Sequence, residues 1–247
     1  MGPLPVRSQM GLMGSYAQIT SGRQSWSTAH RIPLHRHDQA YVAVVLCGSY
    51  EECGSRGRLR ASPGDVLLHN AFDAHLNRFR HTGAQILNLV GAGPARGFGL
   101  GRVTDPDAIA RAAERDPIEA GVRLHEQLRE TACTPEDWPD ILAHDLLSNP
   151  GCCLKSWAEK HGLAAETVSR GFRKVFGLTP ASFRAEARAQ RAFALIVESE
   201  ASLVSIAAAA GFADQAHMSR ATRALTGLPP ATWRTSNPFK TAGTNAA

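Results

Sequence analysis

Two groups of side chains in this chain of 247 residues have the types and spacing that chemistry requires. The first is imidazole. His35-Arg-His37 sets two histidines two residues apart, on one face if that stretch is a strand, and His75 can join them from a facing strand. Three imidazoles on one wall can hold a divalent metal such as zinc, iron or manganese, with water completing the set, or they can line a pocket for a small molecule. The second group is built for hydrogen bonding to flat polar edges. Arg170 and Arg220 carry forks that match guanine O6 and N7, Gln215 can pair bidentately with adenine, and Glu166 can accept from cytosine. Ser169, Ser219, His217, Arg173 and Arg223 can reach bases or phosphates.

The second group sits inside an internal repeat. Leu154-Lys-Ser-Trp-Ala-Glu-Lys-His-Gly-Leu163 aligns with Leu203-Val-Ser-Ile-Ala-Ala-Ala-Ala-Gly-Phe212, the Leu, Ser, Ala and Gly positions coinciding. Val168-Ser-Arg-Gly-Phe-Arg-Lys174 aligns with Met218-Ser-Arg-Ala-Thr-Arg-Ala224 after a one-residue slip. Gly177-Leu-Thr-Pro-Ala-Ser-Phe-Arg184 aligns in the same way with Gly227-Leu-Pro-Pro-Ala-Thr-Trp-Arg234. Each unit reads as a short helix (Leu154 to His161; Leu203 to Ala210), a stop at Gly162 or Gly211 where positive φ is tolerated, and a second helix. The second helices run from about Ala165 to Phe176 and from about Asp214 to Leu225. They bury Val168, Phe172 and Val175, or Met218, Ala221 and Leu225, and leave the polar residues outward. Two helices joined by a tight glycine turn, the second with a polar face, form a helix-turn-helix whose second helix fits the major groove. One such pair could be an ordinary helical bundle, but a repeated pair is a far more specific signal. A helix from Phe183 to about Val197 would join the units and hold both reading helices on one face of a duplex.

Charge agrees with this division. Residues 1–149 carry 15 Lys and Arg against 16 Asp and Glu, whereas residues 150–247 carry 12 against 6. A boundary at Pro135 brings in Glu136, Asp137, Asp140 and Asp145 and leaves the basic excess at only two, so charge supports a polyanion partner without deciding it. No apolar run could span a bilayer, and Met1 to Arg23 lacks a signal-peptide segment, so a soluble cytoplasmic protein is expected. The five cysteines follow neither zinc nor disulfide spacing and read as reduced thiols.

The first hundred residues read as β. Tyr41 to Cys47, Asp65 to His69 and Gln85 to Val90 are apolar runs between Gly and Pro turns, suggesting a sandwich or small barrel. From Asp105 the spacing of Ile109, Ala112, Ala113, Leu124 and Leu128 becomes helical, with breaks at Pro117 and Pro135. These helices either cap the β domain or pair two subunits.

Residues 138–236 resemble the AraC/XylS family of bacterial transcriptional regulators, most specifically over Gly211-Phe-Ala-Asp-Gln-Ala-His-Met-Ser-Arg220 and Gly227-Leu-Pro-Pro-Ala-Thr-Trp-Arg234. Met218 and Thr222 stand at positions usually aromatic in that signature. By this resemblance the DNA-facing residues are Glu166, Ser169, Arg170 and Arg173, then Gln215, His217, Ser219 and Arg220. His35-Arg-His37, Tyr41, Gly48, Gly57, Pro63-Gly-Asp65 and His75 are similar to a cupin barrel of the kind that precedes such a domain. A metal cupin carries a carboxylate shortly after the paired histidines. Here that position is Tyr41, or Gln39 if the register slips, so an anionic ligand is missing. His35, His37, Tyr41 and His75 are therefore expected to form an effector pocket or metal site, with His69 and His30 as weaker candidates.

The expected architecture is two-domain, β plus α. Residues 1–104 form a cupin-like sensor barrel, 105–134 a helical dimerisation or connector segment, 135–240 a double helix-turn-helix domain with a linker helix, and 241–247 a disordered tail. The expected function is a sequence-specific transcriptional regulator controlled by a small molecule or metal, working as a homodimer with promoter DNA and RNA polymerase. The rival is a metal-dependent cupin oxygenase or isomerase with an appended helical domain. Loss of the carboxylate position and the lack of another suggestively spaced acid/base pair argue against it, so no catalytic residue is assigned.

Overall fold

Strands form where β-branched and aromatic residues run between glycine turns, and helices form where proline and a capping carboxylate open an amphipathic stretch. The computed structural model describes residues 16–92, 99–132, 135, 137–149 and 151–235. The chain runs through β1 (Gly22–Trp26), β2 (Arg31–Arg36), β3 (Tyr41–Gly54), β4 (Gly57–Ala61), β5 (Asp65–His69), β6 (Ala74–Val90) and β7 (Leu100–Arg102). Helices α1 (Pro106–Ala113) and α2 (Pro117–Gln127) follow, then the short β8 (Arg129–Glu130). The remainder is helical: α3 (Trp138–Ser148), α4 (Leu154–Lys160), α5 (Ala165–Phe176), α6 (Pro180–Glu198), α7 (Leu203–Ala209), α8 (Gln215–Thr226) and α9 (Pro230–Thr235). An antiparallel β region is thus followed by a helical region.

The strands make one sheet in the order β1-β6-β3-β5-β7-β8, with β2 also paired to β6 and β4 to β3. Its spine is β3 against β6, from Tyr41↔Val90 to Gly54↔His75. The expected short strands at Tyr41–Cys47 and Gln85–Val90 are halves of these longer ones. The glycines between them make bulges rather than chain reversals: the register slips at Val45/Cys47 and at Gly48/Tyr50, and Gly48 (φ 74°) and Gly83 (φ 61°) take left-handed backbone. Each slip changes which face a residue points to. Tyr41, Ala43 and Val45 point to the inner face, as do Tyr50 of β3 and Phe79 of β6 beyond the bulges.

The outer face beside α1 and α2 buries Val42, Val44, Leu87 and Leu89 against Ile109, Ala112, Ala120 and Leu124. These helices therefore cap the sheet, which explains why Tyr41 to Leu46 is apolar on both faces. Both begin on Pro after an Asp whose carboxylate accepts a first-turn backbone N–H (Asp105 from Ala108, Asp116 from Ile118). Further along the same sheet, Cys53 and Leu76 pack into the helical region with Leu142, Trp157, Phe172 and Phe176.

The helix between the repeat units begins earlier than its apolar spacing suggests, at Pro180, because Thr179 accepts from Ser182 N–H and proline fits the first helical position. The four described cysteines, Cys47, Cys53, Cys152 and Cys153, form no disulfide. Cys133, the end of the 105–134 segment and the tail at 241–247 lie outside the described residues. Among the described residues no helix is long and apolar enough to cross a membrane.

Candidate functional site

The two repeat units fold into matching helix pairs, α4 with α5 and α7 with α8. Gly162 (φ 64°) and Gly211 (φ 78°) take positive φ at the turns, and Gly177 and Gly227 do so where α5 and α8 end. Ala158 and Ala207 are buried beside Trp157 and Ile206, so the first helix of each pair approaches its partner closely. The buried rows differ in detail from expectation. On α5 they are Val168, Phe172 and Phe176, with Val175 only half-buried. On α8 they are Met218, Thr222, Leu225 and Thr226, with Ala221 half-buried. The reason is angular, since Phe176 continues the Val168–Phe172 row by four residues and Thr222 continues from Met218.

Glu166, Ser169, Arg170 and Arg173 are exposed on α5, as are Gln215, His217 and Arg220 on α8, while Ser219 is half-buried. Helical geometry sets Glu166, Arg170 and Arg173 opposite the buried row of α5. On α8 it sets Arg220 and the exposed Arg223 there, whereas Gln215 lies toward the side of Met218 and is exposed because it opens the helix. Asp214 caps α8 by accepting from His217 N–H at 2.6 Å, whereas α5 follows Ala164 with no side-chain cap.

A second site lies on the inner face of the sheet. A cavity of about 340 Å³ is lined by His35, His37, Tyr41, Glu52, His69 and His75, among others. Strand pairing assembles it: His35 faces His75 across β2 and β6, Tyr41 faces His69 across β3 and β5, and Glu52 faces Asn77 across β3 and β6. Ring centroids lie 4.2 Å apart for His35 and His75, 5.0 Å for His35 and His37, and 5.5 Å for His37 and His75. His30 stacks on Trp26 at 4.8 Å, away from this cluster.

Backbone carbonyls set the tautomers. His37 Nδ1 is 2.6 Å from the Ala17 carbonyl, His35 Nδ1 is 2.9 Å from that of Pro33, and His75 Nδ1 is 3.4 Å from that of Asp73. A carbonyl only accepts, so each Nδ1 donates and each Nε2 keeps its lone pair. Burial lowers the pKa of all four imidazoles, taking His69 to about 3, and holds them in the neutral form that metals and hydrogen-bond donors need. The expected set of His35, His37 and His75 thus comes together. Tyr41 joins it as a hydroxyl that lies 3.2 Å from His75 Nε2 and can donate there.

Sequence reasoning passed over Glu52 altogether and ranked His69 as a weaker candidate. Both are only 6% exposed and face the cavity. Counting alternate positions from Tyr41 would put Glu51 inside and Glu52 outside. The bulges invert that order, and only the Asn77 pairing reveals it.

The strands of the sheet also contact the helical region. Arg36, between His35 and His37, points to the opposite face and meets Glu186 of α6 at 3.1 Å, both side chains being buried. Arg78, next to Asn77, bonds Glu51 at 2.8 Å and donates to the last carbonyls of α5, Lys174 at 2.8 Å and Val175 at 2.7 Å. Arg58 forks onto Asp140 of α3 at 3.0 and 2.7 Å and reaches Asp137 at 2.8 Å.

Residues 157–236 match the family described as a helix-turn-helix domain. That part of the chain is therefore such a domain. No curated protein matches the chain. Among solved structures, it is similar to apo ToxT K231A from Vibrio cholerae strain SCE256, with 8% identity over 92% of this chain and 100% of that one, TM-score 0.40. It is also similar to the C-terminal domain of AraT, a response regulator from Geobacillus stearothermophilus, with 19% identity over 42% and 88%, TM-score 0.39. A third is an AraC-type transcriptional regulator from Chromobacterium violaceum, with 23% identity over 39% and 88%, TM-score 0.37.

Proposed function

We propose, taking residues 157–236 as a helix-turn-helix domain of the AraC type, that the chain is a DNA-binding transcriptional regulator whose β domain senses a ligand. The observation that carries this reading is the duplicated helix pair. Each copy buries an apolar row on its second helix and presents Arg170 or Arg220 outward at the same place in the repeat. In this reading α4–α5 and α7–α8 are two helix-turn-helix units joined by α6, and they read two successive major-groove segments. Arg170 and Arg220 contact base edges, with Glu166, Ser169, Arg173, Gln215, His217 and Ser219 around them.

The histidine-lined cavity is the sensor, and the β region is a cupin-like barrel. Its occupant is a small molecule or a divalent ion, for which the Nε2 lone pairs of His35, His37 and, in place of its contact with the Tyr41 hydroxyl, His75 are suited. Ile118 and Val122, one turn apart on α2, are 77% and 52% exposed and support a homodimer formed across that helix. Promoter DNA and RNA polymerase are the macromolecular partners.

The test is footprinting on DNA upstream of the protein's own gene. The wild-type chain is expected to protect two adjacent major-groove segments and to weaken steeply as salt rises. Arg220→Ala is expected to lose at least about tenfold in specific affinity while keeping its fold by circular dichroism. Unchanged protection by Arg220→Ala would sink the assignment.

A further inference from the structure

The bent strands bring a second set of ligating groups to the inner end of the cavity, one that shares only His75 with the paired histidines. One ligating atom from each of Glu52, His69 and His75 lies within 4.8 Å of the others. His69 Nε2 stands 3.7 Å from Glu52 Oε2, and it is buried with no hydrogen-bond partner among the described residues. Asn77 donates to the same Glu52 oxygen at 2.9 Å.

We propose that Glu52, His69 and His75 bind a divalent transition-metal ion, and that Glu52 supplies the anionic ligand absent at Tyr41. This deepens the reading of the cavity as the sensor and rests on it. Two neutral imidazoles and one carboxylate are a donor set that zinc, iron(II), cobalt and manganese accept with positions left open. The alternative set of His35, His37 and His75 offers three neutral donors, so an ion there would bring its full double charge into a buried site uncompensated. His35 is also only half-buried, whereas Glu52, His69 and His75 are all nearly enclosed.

The geometry needs little adjustment. Ligand atoms each roughly 2.0–2.2 Å from one tetrahedral ion lie roughly 3.4 Å apart, close to the present Glu52–His69 separation. Asn77 is placed to hold the carboxylate, and Tyr41 stacks flat on the His69 ring, with centroids 4.2 Å apart and planes at 9°. Such neighbours fix the orientation of ligands. His69 Nε2, a buried donor or acceptor that would otherwise cost stability by going unsatisfied, gains a partner. The half-buried His35 is then left to meet a ligand that reaches the ion.

The experiment is a cobalt(II) titration of the chelator-stripped full-length protein, followed by calorimetry and by the visible absorption of cobalt in a low-symmetry site. Wild type is expected to take up one equivalent. Glu52→Gln and His69→Ala are expected to weaken binding by at least about 100-fold, beyond the loss usual for a supporting partner. Cobalt is also expected to raise the Tm of wild type but not that of Glu52→Gln, which reads the site even if a variant is less stable. The proposal is overturned if wild type takes up no stoichiometric cobalt, if Glu52→Gln binds like wild type, or if His37→Ala loses as much affinity as Glu52→Gln. Footprinting on the same samples separates the two readings. A metal result that fails while Arg220-dependent protection persists removes the ion and leaves the regulator standing.

Discussion

Thr222 buries its hydroxyl completely in α8, where the aligned residue of α5 is Phe172, and its Oγ1 has no hydrogen-bond partner among the described residues. Thr226 does better, donating from its Oγ1 to the Thr222 carbonyl at 2.9 Å and accepting from Trp233 Nε1 at 2.9 Å. The first unit instead packs Phe172 against Phe176 and Phe183 at centroid distances of 4.5 and 5.3 Å. The second helix pair is therefore held by a smaller and partly polar core. An unsatisfied buried hydroxyl costs about 1–3 kcal/mol, and valine has nearly the shape of threonine. Thr222→Val is expected to stabilise the chain by about 1 kcal/mol, read as a higher urea midpoint at unchanged slope. A lower midpoint would show that the hydroxyl has a partner after all. The unusual residues at 218 and 222 and the burial of Met218 were legible in the sequence, but the burial of Thr222 in place of Ala221 was not, because angle on the helix and not residue type decides which positions face inward.

At the scale of elements, the glycine bulges do the most to shape the histidine-lined cavity. A side chain at Gly48 would fall against the Gly83 carbonyl oxygen, and its backbone is already in the left-handed region. Gly48→Ala is expected to destabilise by more than the ~1 kcal/mol of the backbone term alone, because the obstructing atom belongs to the main chain and cannot turn aside. Thermal unfolding checks this, and a Tm within one degree of wild type would contradict it. The bulges also mark the limit of what the sequence conveyed. The helices of the repeat were legible nearly to the residue, because α5 and α8 are bounded by local signals such as Asp214, Gly177 and Gly227. The strands were legible as apolar runs, and His35, His37 and His75 as one group. Glu52 was not, because a bulge changes the parity of every residue beyond it and follows from pairing with a partner strand 25 residues away.

At the scale of the whole molecule, the sheet and the helices are joined by buried polar contacts as well as by packing. Arg36 and Glu186 pair at 3.1 Å, and burial raises the Glu186 pKa against the opposing pull of Arg36. Phe72, held with φ at 67°, donates its backbone N–H to the His37 carbonyl at 2.7 Å and sets its ring edge-on to Phe193 and Trp233. Removing one member of a buried ion pair strands the other, so Arg36→Met is expected to cost roughly 3–5 kcal/mol in urea unfolding. Arg36→Met with Glu186→Leu is expected to recover most of that loss. A double substitution no better than the single would mean that the pair is not coupled. β2 also has a consequence for how this chain can change over generations. It offers imidazole to the cavity from His35 and guanidinium to α6 from Arg36, so inserting or deleting one residue within it would exchange both sets at once, putting a cation in the cavity and a histidine against Glu186. Length variation among descendants of this sequence should therefore collect in the turns outside Arg31–Arg36 or come in steps of two, and the lining of the cavity can drift by substitution while the tie to the helical region stays in place.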